Sequence, residues 1–153
     1  MIGLIFLLFT IASAADKTKE TSGERFISVC KQVQNNNPYD ASPSEQALYT
    51  ELKRQYYLEE CEMLWLYLSK LETLVLQNIG VNDFRMLSNL ETVVYLNLKD
   101  NHVHKAEMLP DLPQLRYLNL EKNKLKSFDK MPEYPNIHTL ILAHNEIIKI
   151  DGL

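Results

Sequence analysis

Residues 71–92 read LETLVLQNIGVNDFRMLSNLET, and the next three stretches repeat that apolar pattern without a gap. Residues 93–114 read VVYLNLKDNHVHKAEMLPDLPQ, residues 115–136 read LRYLNLEKNKLKSFDKMPEYPN, and residues 137–153 read IHTLILAHNEIIKIDGL. The step is 22 residues each time. A constant step is sought before secondary structure, because a short unit cannot bury its own apolar face and must stack on its neighbours.

Seven apolar columns result. The first three are Leu71, Val93, Leu115, Ile137; Leu74, Leu96, Leu118, Leu140; and Leu76, Leu98, Leu120, Leu142. The fourth is Val81, Val103, Leu125, Ile147, followed by Phe84, Ala106, Phe128, Ile150, then Leu87, Leu109, Met131, Leu153, and last Leu90, Leu112, Tyr134. The alternation in L-x-L suits a strand with one buried face. The later steps of three, as in Phe84, Leu87 and Leu90, suit a tight turn in which side chains i and i+3 align. Asn101, Asn123 and Asn145 fall at the bend between the two, where an inward amide can satisfy backbone groups that water cannot reach, so their expected role is structural. Ile79 replaces asparagine in the first unit, as an end unit with one neighbour allows, and is expected to pack against whatever covers that end.

The pattern L-x-x-L-x-L-x-x-N-x-[LIV], continued by apolar residues at steps of three, resembles the leucine-rich repeat, and specifically its 22-residue class, typified by a regulatory subunit of protein phosphatase 1. The resemblance implies an α/β solenoid: one short parallel strand per repeat on a concave face, 3₁₀ or short helical turns on the convex face, and a binding role in place of catalysis. The repeats are expected to occupy residues 71–153, as 71–92, 93–114, 115–136 and an incomplete 137–153. The interruption inside the fourth unit suggests a longer array.

An exposed first unit needs a cover for its apolar side chains and strand edge. Residues 15–70 are the expected N-terminal flank and helical cap. Ser42-Pro43-Ser44-Glu45 has the form of a capping box with proline at the first helical position, and Leu48, Leu52 and Tyr56 recur at helical spacing, so a helix is expected from about residue 43. Trp65 and Leu68 lie 22 residues before Leu87 and Leu90, so the end of the flank imitates a convex turn, although Glu62 does not match Phe84. Residues 16–40 are largely polar, with a short apolar patch around Phe26, Ile27 and Val29 that Cys30 could hold to the cap and with Asn35, Asn36, Asn37 and Pro38 reading as a loop, and no further element is assigned there.

Residues 1–14 carry an apolar run from Ile2 to Ile11 and end in Ala12-Ser13-Ala14, the form of a secretory signal cleaved after Ala14 or Ala15, though without a basic residue ahead of the run. The run is short for a bilayer span. The expected location is therefore extracellular, with no membrane insertion after cleavage. In an oxidising compartment Cys30 and Cys61, the only cysteines, invite a disulfide worth about 3 to 4 kcal/mol in the chain-entropy view. The alternative is a pair of free thiols. No Asn-x-Ser/Thr acceptor occurs.

A net charge of −4, from 16 basic and 20 acidic residues, offers no field for nucleic acid phosphates. Only four glycines are present, and no phosphate loop, G-x-S-x-G or H-E-x-x-H occurs, so neither a catalytic residue nor a cofactor is expected. His102, His104, His138 and His144 lack ligand spacing and read as solvated, which leaves no metal site.

The expected site is the concave face, formed by residues between the buried leucines. Its columns are Thr73, Tyr95, Tyr117, Thr139; Val75, Asn97, Asn119, Ile141; and Gln77, Lys99, Glu121, with Asn78, Asp100, Lys122 and His144 beyond them. Tyr95 and Tyr117 would stand side by side, as recognition hot spots or as filling of a pleated surface. This lining suits a protein or peptide ligand. The resemblance implies a secreted recognition module acting in immune recognition, adhesion or signalling, with a loose similarity to the leucine-rich immune proteins of insects. The alternative is an intracellular regulatory or targeting subunit, such as a phosphatase regulator.

Overall fold

A computed structural model describes residues 23–35 and 41–149. The signal-like residues 1–14, the loop at Asn36, Asn37 and Pro38, and the column members Ile150 and Leu153 lie outside them. The protein is α/β: helices α1 (Glu24–Gln34), α2 (Pro43–Tyr56) and α3 (Cys61–Leu68) precede a four-stranded parallel sheet, β1 (Thr73–Val75), β2 (Tyr95–Asn97), β3 (Tyr117–Asn119) and β4 (Thr139–Ile141). Strand order follows chain order.

The sheet register reproduces the 22-residue step. Thr73 pairs with Tyr95, Tyr95 with Tyr117 and Tyr117 with Thr139, while Leu74, Leu96, Leu118 and Leu140 form the inward row. Strands this short carry few ladder bonds each, so packing beneath them must supply the rest of their stability. Leu74, Leu76, Leu96, Leu98, Leu118 and Leu120 are fully buried, and beneath them Phe84, Leu87, Leu90, Leu109 and Leu112 continue the same core. In the last strand segment Leu140, Leu142 and Ile147 are only partly buried. Tight 3₁₀ turns at Arg85–Leu87 and Ala106–Met108 return two of the connections, as the steps of three require. Tyr134 takes the column of Leu90 and Leu112; its hydroxyl donates to the Pro110 carbonyl at 2.8 Å, and burial drives its pKa far above the ordinary phenol value.

The bend asparagines tie successive segments together. Asn101 Nδ2 donates to the carbonyls of Leu76 (2.7 Å) and Leu98 (2.9 Å), while its Oδ1 accepts from the amides of Ile79 and Val81. Asn123 repeats this with the Leu98 and Leu120 carbonyls and the Val103 amide, and Asn145 with Leu120, Leu142 and Leu125. Each amide thus bonds its own segment and the preceding one. Ile79 has no such side chain and is half-buried against the core.

The residue before each bend position, Ile79 included, has left-handed backbone: Asn78, Asp100, Lys122 and His144 lie at φ between 55° and 59°. Asn78, Asp100 and Lys122 donate their amides across to Lys99, Glu121 and Ala143. Asparagine and aspartate tolerate that conformation, whereas lysine is strained in it.

The helical segment contains more structure than the sequence reading assigned. α2 begins with the capping box, Glu45 N donating to Ser42 Oγ and Ser42 N to the Glu45 carboxylate. α1 begins without a capping signal, since Gly23 offers no side chain, yet Phe26, Val29, Cys30 and Val33 recur at i, i+3, i+4 and i+7, and the first three are buried. The stretch read as a convex turn is a full helix, α3, whose Cys61, Leu64 and Leu68 are buried. Cys30 and Cys61 form a disulfide with Cα atoms 5.8 Å apart, joining α1 to α3. Beside it the Phe26 and Trp65 rings lie 5.3 Å apart, and Gly23 sits so close under the indole that a Cβ there would meet Trp65 Nε1 at 2.5 Å.

Asn123→Ala is expected to lower unfolding free energy by about 3 kcal/mol in denaturant titration, because two carbonyls and one amide lose a buried partner. One residue away, Lys122→Asn should raise it by up to about 1 kcal/mol, since asparagine relieves the left-handed strain and the backbone bond to Ala143 is kept. Gly23→Ala should destabilise, with a shift in Trp65 fluorescence reporting displacement of the indole.

Candidate functional site

Alternation along each three-residue strand sends its middle side chain into the core and its outer two away from it. Thr73 and Val75 are exposed on β1, Tyr95 and Asn97 half-exposed on β2, and Thr139 exposed on β4. The outward positions therefore bring two of the expected columns into register, Thr73, Tyr95, Tyr117, Thr139 and Val75, Asn97, Asn119, Ile141.

Parallel pairing places Tyr95 directly beside Tyr117. Their rings stack with centroids 4.3 Å apart and planes within 6° of parallel, flanked by Thr73 and Thr139. Stacking restricts both rings and presents their edges and hydroxyls together, so little side-chain entropy remains to be lost on contact. Burial first, and then hydrogen bonding with Tyr95, push the Tyr117 phenol above its ordinary pKa.

The second column is less available than its outward direction suggests. Asn119 is only 7% exposed, which corrects its expected place in an open binding surface. Its Oδ1 accepts from Glu121 N at 2.8 Å, and Asn97 Oδ1 accepts from Lys99 N at 3.0 Å, so both side chains brace the turn into the left-handed bend. Asn97 also donates to Gln77 Oε1 at 3.3 Å. Ile141 is half-buried and Val75 is the exposed apolar member of the column.

In the third column Lys99 Nζ lies 2.8 Å from Glu121 Oε2, and the lysine holds that carboxyl below its usual range. The pair neutralises itself, leaving the tyrosine stack and its threonine flanks as the unoccupied centre. Sequence alternation could not reveal the bracing role of Asn97 and Asn119. The bond to the amide two residues on is a local turn feature, made on the way into the left-handed positions Asp100 and Lys122.

All four histidines are exposed, and among the described residues no group of three His, Cys, Asp or Glu side chains converges. A cleft of about 450 Å³ is lined by His104, Lys105, Lys126 and Lys130. Glu107 lies 3.6 Å from both the Lys105 and Lys130 ammonium groups and Lys126 pairs with Glu146, so its cations are largely answered.

A double-mutant cycle of Tyr95→Ala and Tyr117→Ala should give a coupling of about 1 kcal/mol in stability, the worth of an aromatic pair beyond its buried area. Tyr95→Phe should bring the Tyr117 pKa back toward the ordinary phenol value, followed by NMR of the ring carbon bearing the hydroxyl. The sign is fixed: stability from a phenol with raised pKa is complete below the unfolded value and is lost as pH climbs through the folded one. No protein-family model matches the sequence, and a search of curated proteins finds no match.

Proposed function

We propose that the chain is a secreted leucine-rich repeat protein whose strands line the concave face of a solenoid, and that this face recognises a protein or peptide. The observation that carries the reading is the Tyr95–Tyr117 stack, an aromatic pair held at 4.3 Å on a sheet face whose neighbouring threonines are open to solvent. Preorganised aromatics with a polar tip are the side chains that concentrate binding energy at protein interfaces.

Support for the solenoid comes from the in-register strands at a 22-residue step and from the asparagine amides that each bond two successive segments. In this reading α1, α2 and α3 are the N-terminal cap. Val75 turns its carbonyl away from β2, and Gln55 Nε2 of α2 donates to it at 2.8 Å, blunting the free edge of the sheet. Ser44 and Asn82 add a second tie, with Asn82 N donating to Ser44 Oγ at 3.2 Å. Secretion is supported by the signal-like N-terminus and by the Cys30–Cys61 bond, since disulfides persist in oxidising compartments. No helix among the described residues is long and apolar enough to cross a membrane.

The test has two arms. Expression in animal cells should deliver to the medium a protein lacking residues 1–14 or 1–15, whose mass rises by two hydrogens on reduction; retention inside the cell with an intact N-terminus would return the reading to an intracellular regulator. A photo-crosslinking residue at Thr73 or Thr139 should then capture a partner saturably, and the Tyr95→Ala, Tyr117→Ala double variant should bind that partner at least tenfold more weakly while keeping its circular dichroism. Undiminished affinity would remove the tyrosines from the site.

A further inference from the structure

Charge on the outward face of the sheet cancels. Among the outward residues of the three columns only Lys99 and Glu121 are charged, and they pair with each other at 2.8 Å. The borders balance as well: Glu72 and Arg116 stand exposed before the strands and Asp100 and Lys122 after them, with His138 and His144 completing the two rows. A charged ligand would give up hydration here with no free opposite charge to receive it, so the face favours an uncharged one.

Asn119 sits within this neutral face, beside the tyrosine stack. Its Oδ1 is committed to the Glu121 amide, as Asn97 Oδ1 is to that of Lys99. The two residues differ in the other half of the side chain. Asn97 Nδ2 donates to Gln77 Oε1 at 3.3 Å, whereas Asn119 Nδ2 donates to no group among the described residues. Among those residues no fully buried side-chain nitrogen or oxygen lacks a partner, so the small accessible part of Asn119 includes this Nδ2. A ligand that covers the recessed N–H without bonding it leaves a donor unsatisfied, at a cost of about 1 to 3 kcal/mol. The ligand must therefore bring an acceptor.

Val75 and Ile141 supply apolar area at the two ends of the same column, three strand steps apart, or about 14 Å at the spacing of paired strands. Four residues of extended chain cover that span, and side chains i and i+4 then point to the same side. In a helix i and i+4 are only about 6 Å apart, and the carbonyls are already engaged within the helix. An extended segment keeps its carbonyls free. We infer that the face takes an uncharged polypeptide segment in extended conformation, laid across the strands with apolar side chains at i and i+4 over Val75 and Ile141, and that Asn119 Nδ2 donates to a main-chain carbonyl between them. The site is the one proposed around the Tyr95–Tyr117 stack, so this assignment rests on that reading and adds the ligand's class and the donor it must answer.

The test selects a phage-displayed library of random 12-residue peptides on the immobilised full chain. Enriched peptides should carry apolar residues four apart with no lysine, arginine, aspartate or glutamate between them. Transferred Overhauser effects from each Hα to the following amide should show the bound peptide extended. No enrichment, enrichment of charged sequences, or a helical bound peptide would overturn the proposal. Asn119→Asp keeps an oxygen for the Glu121 amide and loses the N–H; with its melting temperature unchanged, it should bind the most enriched peptide at least tenfold more weakly. Asn97→Asp makes the same exchange where the N–H is already held by Gln77, and should cost no more than threefold. Equal loss in the two variants would trace the effect to the added charge and overturn the assignment of the donor. If Asn119→Asp does not fold, Asn119→Ser, whose hydroxyl can accept from the Glu121 amide, provides the comparison. The Tyr95→Ala, Tyr117→Ala variant separates this assignment from the reading beneath it. Tenfold weaker binding there with none lost in Asn119→Asp would keep the stack and overturn the donor, and unchanged affinity in both would overturn the two together.

Discussion

The side-chain amide of asparagine at the bend is the interaction on which the rest of the sheet depends. A strand of three residues contributes few ladder bonds, and the chain leaving it turns sharply, exposing carbonyls and amides inside a core that admits no water. Asn101, Asn123 and Asn145 answer those groups from within, each donating both to its own segment and to the one before. An amide has two donors and an acceptor on one planar group, which no other side chain of that size combines. The apolar columns supply the driving force for stacking, but the amides set the spacing at which stacking is free of orphaned backbone.

What lies upstream is organised by the same requirement. Among the described residues the first strand has no preceding strand to bond, and its outward carbonyl at Val75 receives Gln55 from α2. The helices are joined to one another by means that do not repeat: a disulfide between α1 and α3, a ring contact of Phe26 with Trp65, and a glycine pressed beneath that indole. The periodic part tolerates substitution within a column, whereas the helical part depends on individual contacts made once.

Legibility from the sequence followed this division. Register and inward rows could be read from the columns, because a 22-residue step with L-x-L alternation leaves little freedom in how strands pair. The start of α2 was legible from Ser42-Pro43-Ser44-Glu45. α1 carries apolar spacing but no capping signal at Gly23, so its start is not legible. α3 reads CEMLWLYL, apolar nearly all round, so periodicity could not tell which face is buried, and the exposure of Met63, Leu66 and Tyr67 emerges only in three dimensions. At the site, Tyr95 and Tyr117 were placed together from their columns. The withdrawal of Asn119 from the surface was not, because alternation describes direction and says nothing of local turns.

The sequence distances spanned by the contacts also bear on how the chain assembles. Within the sheet, side-chain bonds between segments join residues 20 to 25 apart, while the ties that fasten the helices run from 20 between Gln55 and Val75 to 31 at the disulfide and 38 between Asn82 and Ser44. Loop closure grows dearer with length, though slowly, and contacts of shorter span form sooner. Each strand segment can therefore be added against its predecessor as the chain emerges in synthesis, with no earlier pairing undone. Growth by accretion is the kinetic counterpart of a register in which every partner lies one step away.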